Sequence, residues 1–209
     1  MLVLVLVRHG RTEANAGRRL QGRLDLPLDD VGQAQAADLA SWLGKPDRVI
    51  SSPLLRARQT AEAFGMPYEV DERWVELDYG NLEGLPIADV GDDVWARWRV
   101  DPTYRAGGGE SMEAMRDRVI SAAKEVLAEA NRQIVVVTSH VSPIKAAVTW
   151  ALDVEVTAMW RCHLDQASVT RIGESTKGPV LLGFNETRRN DSTWRGRIAD
   201  PDRPGGQTI

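Results

Sequence analysis

Cysteine, histidine and long apolar runs are scarce in this chain, and each scarcity removes a class of function. One cysteine, Cys162, stands among 209 residues. No disulfide can close within the chain, and no multi-cysteine metal site can be built. A lone thiol agrees with a reducing, cytoplasmic compartment. The three histidines, His9, His140 and His163, are scattered without the spacing of a metal-ligand set, so neither a metal nor a cofactor is expected. No stretch is long and apolar enough to span a bilayer. The leading run Leu2–Val7 is too short for that and has no basic segment before it, so it is expected to be a core strand rather than a signal peptide. Charge is not in excess on either side: 26 Lys and Arg against 30 Asp and Glu give a net charge of −4. No global field therefore favours nucleic acid, and an anionic ligand needs a local basic pocket. Gly107-Gly108-Gly109 lacks both the lysine of a P-loop and the dinucleotide fingerprint. Internal repeats and low-complexity tracts are also absent. What is there, 43% hydrophobic and 27% charged residues, suits a single globular domain with a substantial core.

Within that domain, β-branched runs alternate with amphipathic segments. Leu2–Val7 and Ile134–Thr138 read as buried strands, Arg48–Ser52 and Tyr68–Val70 as short ones, and 166–172 with 179–184 as closing strands. Helices are expected from Val31 to Leu43 behind an Asp30 cap, from Pro53 to Phe64, over 92–100, from a Ser111 cap to Asn131, and from Pro143 to Leu152. Residues 11–28 read as a loop. Strand–helix alternation implies a three-layer α/β/α fold with a mainly parallel central sheet. The expected organisation is one domain over 1–185 and a polar, Arg-rich tail over 186–209. The tail suits a cover for the site or a contact with a second subunit.

Three strands end in residues that carry chemistry. The first delivers Arg8 and His9, with Gly10 free to bend tightly near an anion; the second delivers Ser51, Ser52 and Arg56; the late one delivers His140. In a parallel sheet those ends share one edge, so distant residues converge. Two histidines, two arginines and a carboxylic acid are what phosphoryl transfer through a phosphohistidine needs. One imidazole attacks phosphorus, the cations hold the equatorial oxygens, and the acid protonates the leaving oxygen. Glu76, in Glu76-Leu77-Asp78-Tyr79-Gly80, is the candidate acid.

These segments resemble a known family in order and in kind. Leu6-Val7-Arg8-His9-Gly10-Arg11-Thr12-Glu13-Ala14-Asn15 is similar to the opening motif of the histidine phosphatase superfamily, the phosphoglycerate-mutase-like proteins. Ser51–Ala61 resembles its second motif, Glu76–Gly84 the third, Gly108-Gly109-Glu110-Ser111 a fourth and Val136–His140 the last. The resemblance covers about residues 1–150; it implies that the 1–185 domain is catalytic and that a cap segment lies at about 85–109. It implies His9 as the phosphorylated nucleophile, Arg8, Arg56 and His140 as the phosphate pocket with Asn15 as a further donor, and Glu76 as proton donor. By position alone it also implies Thr12, Gln21 and Gly22 as pocket lining. The family usually has glycine after the second histidine, where this chain has Val141. That residue keeps the backbone N–H but disfavours a positive φ. The stretch His140–Lys145, with His163-Leu164-Asp165 further on, looks like the α-ribazole-phosphatase-like and acid-phosphatase-like branch.

The implied activity is metal-independent hydrolysis of small-molecule phosphate monoesters, with no nucleic acid or membrane as partner. A phosphoglycerate mutase is the nearest alternative, disfavoured by the brief span between Gly84 and Gly108. A catalytically silent phosphate- or protein-binding member is the other. Glu83 is expected to make a structural hydrogen bond, Arg58 to lie at the surface, and His163 and Asp165 to be structural. Trp95 and Trp98, with Trp74, are expected to pack or to roof the pocket; exposed, they would suit a homodimer interface.

Overall fold

The apolar run at the start forms β1 (Val3–Arg8), and its alternation is buried on both faces. Leu4 and Leu6 enter a large core with Val135, Val137, Ile144 and Ile172, whereas Val5 and Val7 enter a smaller one with Leu39, Val49, Ala61 and Val136. Each such side chain contributes about 1.5–3 kcal/mol on burial, so the strand is fixed from above and below. The computed structural model describes residues 3–129 and 133–188.

With β2 (Arg48–Ser51), β3 (Glu69–Val70), β4 (Ile134–Ser139), β5 (Val169–Ser175) and β6 (Gly178–Glu186), this strand makes one sheet in the order β3-β2-β4-β1-β5-β6. The first four strands in that order are mutually parallel, and β5 and β6 close the sheet antiparallel. Helices α2 (Asp30–Leu43) and α3 (Leu55–Glu62) supply side chains to the smaller core. Helices α4 (Asp92–Val100), α5 (Met112–Glu129) and α6 (Val141–Ala151) supply the larger one. The expected three-layer α/β/α fold is thus observed. The carboxyl ends of β2, β4 and β1 lie side by side, as the sequence implied for Arg56, His140 and His9.

Several local expectations are corrected. The 11–28 loop contains a short helix, α1 (Glu13–Ala16), closed by a reciprocal cap between Thr12 and Asn15. Asp29, not Asp30, caps α2, accepting from the Gly32 N–H at 2.8 Å. The buried positions of that helix are Gly32, Ala36 and Leu39, while Val31 is exposed. Small residues serve there because loop 10–11 presses on the helix: a Cβ on Gly10 would lie 2.4 Å from the Gly32 carbonyl oxygen. Gly10 therefore has no side chain because of this close approach, and its φ is not positive. Helix α6 begins at Val141 behind a His140 cap, two residues before the expected start. Pro143 then falls in the first turn, where a missing N–H leaves no gap in the ladder.

The cap segment forms α4, and its tryptophans are interior. Trp95 and Trp98 are 2% and 1% exposed, so they offer no surface for the homodimer contact expected of them. They stack on each other at 5.5 Å, with Trp160 edge-on to both and Tyr79 edge-on to Trp98. Trp74 belongs to the same core. The tail expected over 186–209 lies outside the described residues from 189 onward; its last described residue, Arg188, pairs with Asp38 on α2.

Candidate active site

The pleat sends Arg8 to the side of Leu4 and Leu6, and the next residue begins the turn that carries His9. Both are buried, at 4% and 3% exposure. Arg8 donates through one terminal nitrogen to the Leu164 carbonyl, while its Nε finds no hydrogen-bond partner. His9 Nδ1 lies 2.7 Å from the Gly10 carbonyl oxygen. A carbonyl only accepts, so Nδ1 carries the proton and Nε2 keeps its lone pair. That lone pair receives Nε–H of Arg56 at 3.3 Å.

Arg56 sits on α3 and is 1% exposed. Its terminal nitrogens donate to the carbonyls of Leu24 at 2.8 Å and Gly22 at 2.7 Å, which fix the guanidinium beside His9. Burial brings both arginines down to about 10, against the raising effect of Glu76. They remain cations at neutral pH. Burial first, then these two cations, push the His9 imidazole well below its usual 6.5. His9 is therefore neutral at physiological pH, as a nucleophile must be.

His140 closes the other side, its ring centroid 5.1 Å from that of His9. Ser52 Oγ lies 2.6 Å from its Nε2, and its Nδ1 is buried without a partner. Burial, Arg56 and His9 hold this imidazole well below 6.5 as well. Glu76 is 5% exposed, and its Oε1 accepts from the backbone N–H of Leu77 at 2.8 Å and of Ser142 at 3.2 Å. Ser142 is the second residue of α6, so the acid meets a helix N-terminus. Tyr79 hydroxyl lies 3.2 Å from Ser142 Oγ, and burial raises it well above 10.

The structure thus brings together Arg8, His9, Arg56, Glu76 and His140. Two buried polar groups next to His9, Arg8 Nε and His140 Nδ1, have no partner among the described residues. The Arg8 Nε–H is a donor in any state, an unpaired buried donor is costly, and an incoming anion would satisfy it.

The remaining sequence candidates divide. Gly22 serves through its carbonyl on Arg56. Thr12 Oγ1 lies 2.8 Å from Gln21 Oε1 and 3.0 Å from Asn15 Oδ1, so buried Thr12 and Gln21 and half-buried Asn15 form one edge of the first loop. Asn15 Oδ1 also accepts from the Thr12 N–H, leaving its amide N–H2 as the group able to donate to an anion. Val141 is helical without a positive φ, so the departure from glycine costs the backbone nothing. Glu83 accepts from the N–H groups of Tyr79 and Arg23, Arg58 is exposed, and His163 pairs with Asp165 at 2.9 Å. Among the described residues no group of three or more His, Cys, Asp or Glu is arranged to hold a metal ion, and no helix is long and apolar enough to cross a membrane.

Sequence reasoning gave no role to Lys145. It lies one turn beyond Val141 on α6, is 2% exposed, and is brought down to about 8 by burial and then by Arg8. Its only sequence signal was a lysine inside an otherwise apolar helix.

Known proteins resemble this chain in sequence and in fold. The pattern of the histidine phosphatase superfamily (branch 1) matches residues 4–187. Phosphoserine phosphatase 1 of Hydrogenobacter thermophilus is 34% identical over 197 residues, covering 90% of this chain and 93% of that protein. A bifunctional protein of Mycobacterium tuberculosis is 36% identical over 177 residues, covering 80% of this chain and 49% of the relative. The chain therefore spans about half the length of the first curated relatives it matches. Among solved structures, a histidine-to-alanine variant of phosphoserine phosphatase from Entamoeba histolytica, in complex with phosphoserine, superposes with a TM-score of 0.84. It is 27% identical, covering 90% of this chain and 98% of that one. With the match running from the first strand to the last, this chain belongs to the histidine phosphatase superfamily.

Proposed function

We propose that the protein hydrolyses small-molecule phosphate monoesters through a phosphohistidine on His9. The observation that carries this reading is the His9 ring itself. Its proton is held on Nδ1 by the Gly10 carbonyl, and its Nε2 lone pair faces a buried arginine. In the first half-reaction Nε2 bonds to phosphorus as the ester P–O bond breaks. Arg8, Arg56 and His140 hold the equatorial oxygens, and Glu76 gives its proton to the leaving oxygen. In the second, Glu76 takes a proton from water, the resulting hydroxide bonds to phosphorus, and the P–N bond breaks to release phosphate. Every group required belongs to the chain. Thr12, Asn15, Gln21 and Gly22 line the same mouth, and the Val141 N–H at the start of α6 adds a donor for the phosphate.

The names of the relatives favour a phosphate ester carried by a small acid such as phosphoserine. The His140–Lys145 stretch keeps α-ribazole phosphate among the substrates to be tried. The reading describes one catalytic domain ending near residue 185 in a cytoplasmic enzyme. The test is phosphate release from phosphoserine and p-nitrophenyl phosphate in EDTA, beside mutase turnover of 3-phosphoglycerate, with acid-labile phosphoenzyme trapped in parallel. Wild type should release phosphate and form the phosphoenzyme, and His9→Ala should do neither. Turnover retained by His9→Ala would overturn the proposal, and mutase turnover above phosphate release would replace it with a phosphoglycerate mutase.

A further inference from the structure

Behind the candidate acid lies a charged network that the reaction as written does not use. Arg118, on α5, is 17% exposed at its side chain, and Glu110, just before the helix, is 16%. Arg118 grips the Glu110 carboxylate with both edges of its fork, Nε at 2.8 Å and one terminal nitrogen at 2.7 Å. The same guanidinium donates to three successive features of the acid loop: the carbonyls of Arg73 and Val75 at 2.7 Å each, and that of Glu76 at 3.2 Å. A planar fork with five donors can do this; an ammonium cannot.

The far side of Glu110 reaches the phosphate pocket. Arg23 donates to Glu110 Oε2 at 3.3 Å and to the Glu76 carbonyl at 3.4 Å. It stands between Gly22 and Leu24, whose carbonyls hold Arg56, and its own N–H is fixed by Glu83. One carboxylate therefore ties the backbone of the acid to the loop that aims the phosphate-binding arginine.

We propose that Glu110, with Arg118 and Arg23 on its carboxylate, is a positioning hub that sets the Glu76 carboxyl in register with Arg56 for proton transfer to the leaving oxygen. The inference rests on Glu76 as proton donor. Its hydrogen bonds to Leu77 and Ser142 fix only Oε1, so the loop carbonyls decide where the carboxyl group stands. A displaced acid fails poor leaving groups and is dispensable for good ones.

The experiment compares kcat/KM for an alkyl phosphate, p-nitrophenyl phosphate and 2,4-dinitrophenyl phosphate in wild type, Arg118→Lys, Glu110→Gln and Glu76→Gln, with inhibition by inorganic phosphate measured alongside. General acids supply about 10²–10⁴-fold, so a misplaced one should cost Arg118→Lys and Glu110→Gln about tenfold or more on the alkyl ester and about threefold or less on the dinitrophenyl ester. Inhibition by phosphate should stay within about twofold, because the atoms that contact phosphate are untouched. A merely structural role would lower all three substrates together. Equal losses, or none, in these two variants while Glu76→Gln is selective would overturn the hub alone. A uniform loss in Glu76→Gln would overturn the proton-donor assignment and the hub with it. Should Arg118→Lys fail to fold, Arg23→Gln, whose side chain is 41% exposed, removes a donor from the same carboxylate and should show the same selective loss.

Discussion

Acid should destabilise this protein through the two imidazoles it keeps neutral. His9 and His140 are 3% and 0% exposed and both are held well below 6.5, in each case chiefly by burial. In the unfolded chain they titrate near 6.5. Between that value and their folded values the unfolded state binds more protons. Stability is therefore complete above about pH 6.5 and is lost as pH falls. Each unit of pH in that window costs about 1.36 kcal/mol per group. From about pH 7 to about pH 5 each histidine can withdraw up to about 2 kcal/mol, and the pair about 4 kcal/mol. That is a large share of the roughly 5–15 kcal/mol of an ordinary domain. Urea denaturation at the two pH values measures it, on wild type and on a His9→Asn, His140→Asn double variant. Wild type should lose stability steeply and the double variant far less. Equal slopes would refute the argument, because they would place the acid sensitivity in other groups.

Two further perturbations probe the frame around the site. Gly10→Ala puts a methyl 2.4 Å from the Gly32 carbonyl oxygen, so α2 and the His9 turn must separate. Overpacking of this kind costs about 1–3 kcal/mol, and urea titration should show it together with a loss of phosphate release. Trp98→Ala removes the ring that touches Trp95, Trp160 and Tyr79. It should cost about 3–5 kcal/mol by thermal or urea unfolding, and a loss under about 1 kcal/mol would show that the cap is not part of the core.

The sheet and the convergence of Arg8, His9, Arg56 and His140 were legible because strand ends in a parallel sheet must meet, and because the apolar runs before Arg8 and His140 are β-branched and short; Glu76, on a loop, was legible only from the motif that the loop resembles. What escaped was set by contacts between distant segments. The α2 face could not be read from hydrophobic periodicity alone, since its buried side of Gly32, Ala36 and Leu39 begins with a glycine required by the close approach of loop 10–11. The Asp29 cap rests on one side-chain hydrogen bond and the α1 turn on the reciprocal pair between Thr12 and Asn15, which periodicity does not register. Trp95 and Trp98 read first as packing, with a roof or an interface as alternatives, and the meeting with Trp160 and Tyr79 decided for the core. Arg118 carried no signal in the sequence beyond being one of two arginines on the expected Ser111–Asn131 helix.

The nucleophile strand is central in space but early in the chain. Leu4 takes Val135 as one neighbour and Ile172 as the other. During synthesis at roughly 5–20 residues per second, β1 must wait on the order of ten seconds before either flank exists. Through that interval five aliphatic side chains and a row of amides lack their flanking strands, which leaves the strand open to pairing with other chains. A partial product of translation that lacks β4 and β5 cannot carry out the chemistry, since Arg8 and His9 acquire their positions only when both flanking strands have arrived. Contacts of such long range also predict slow refolding in vitro, with activity returning together with the final phase.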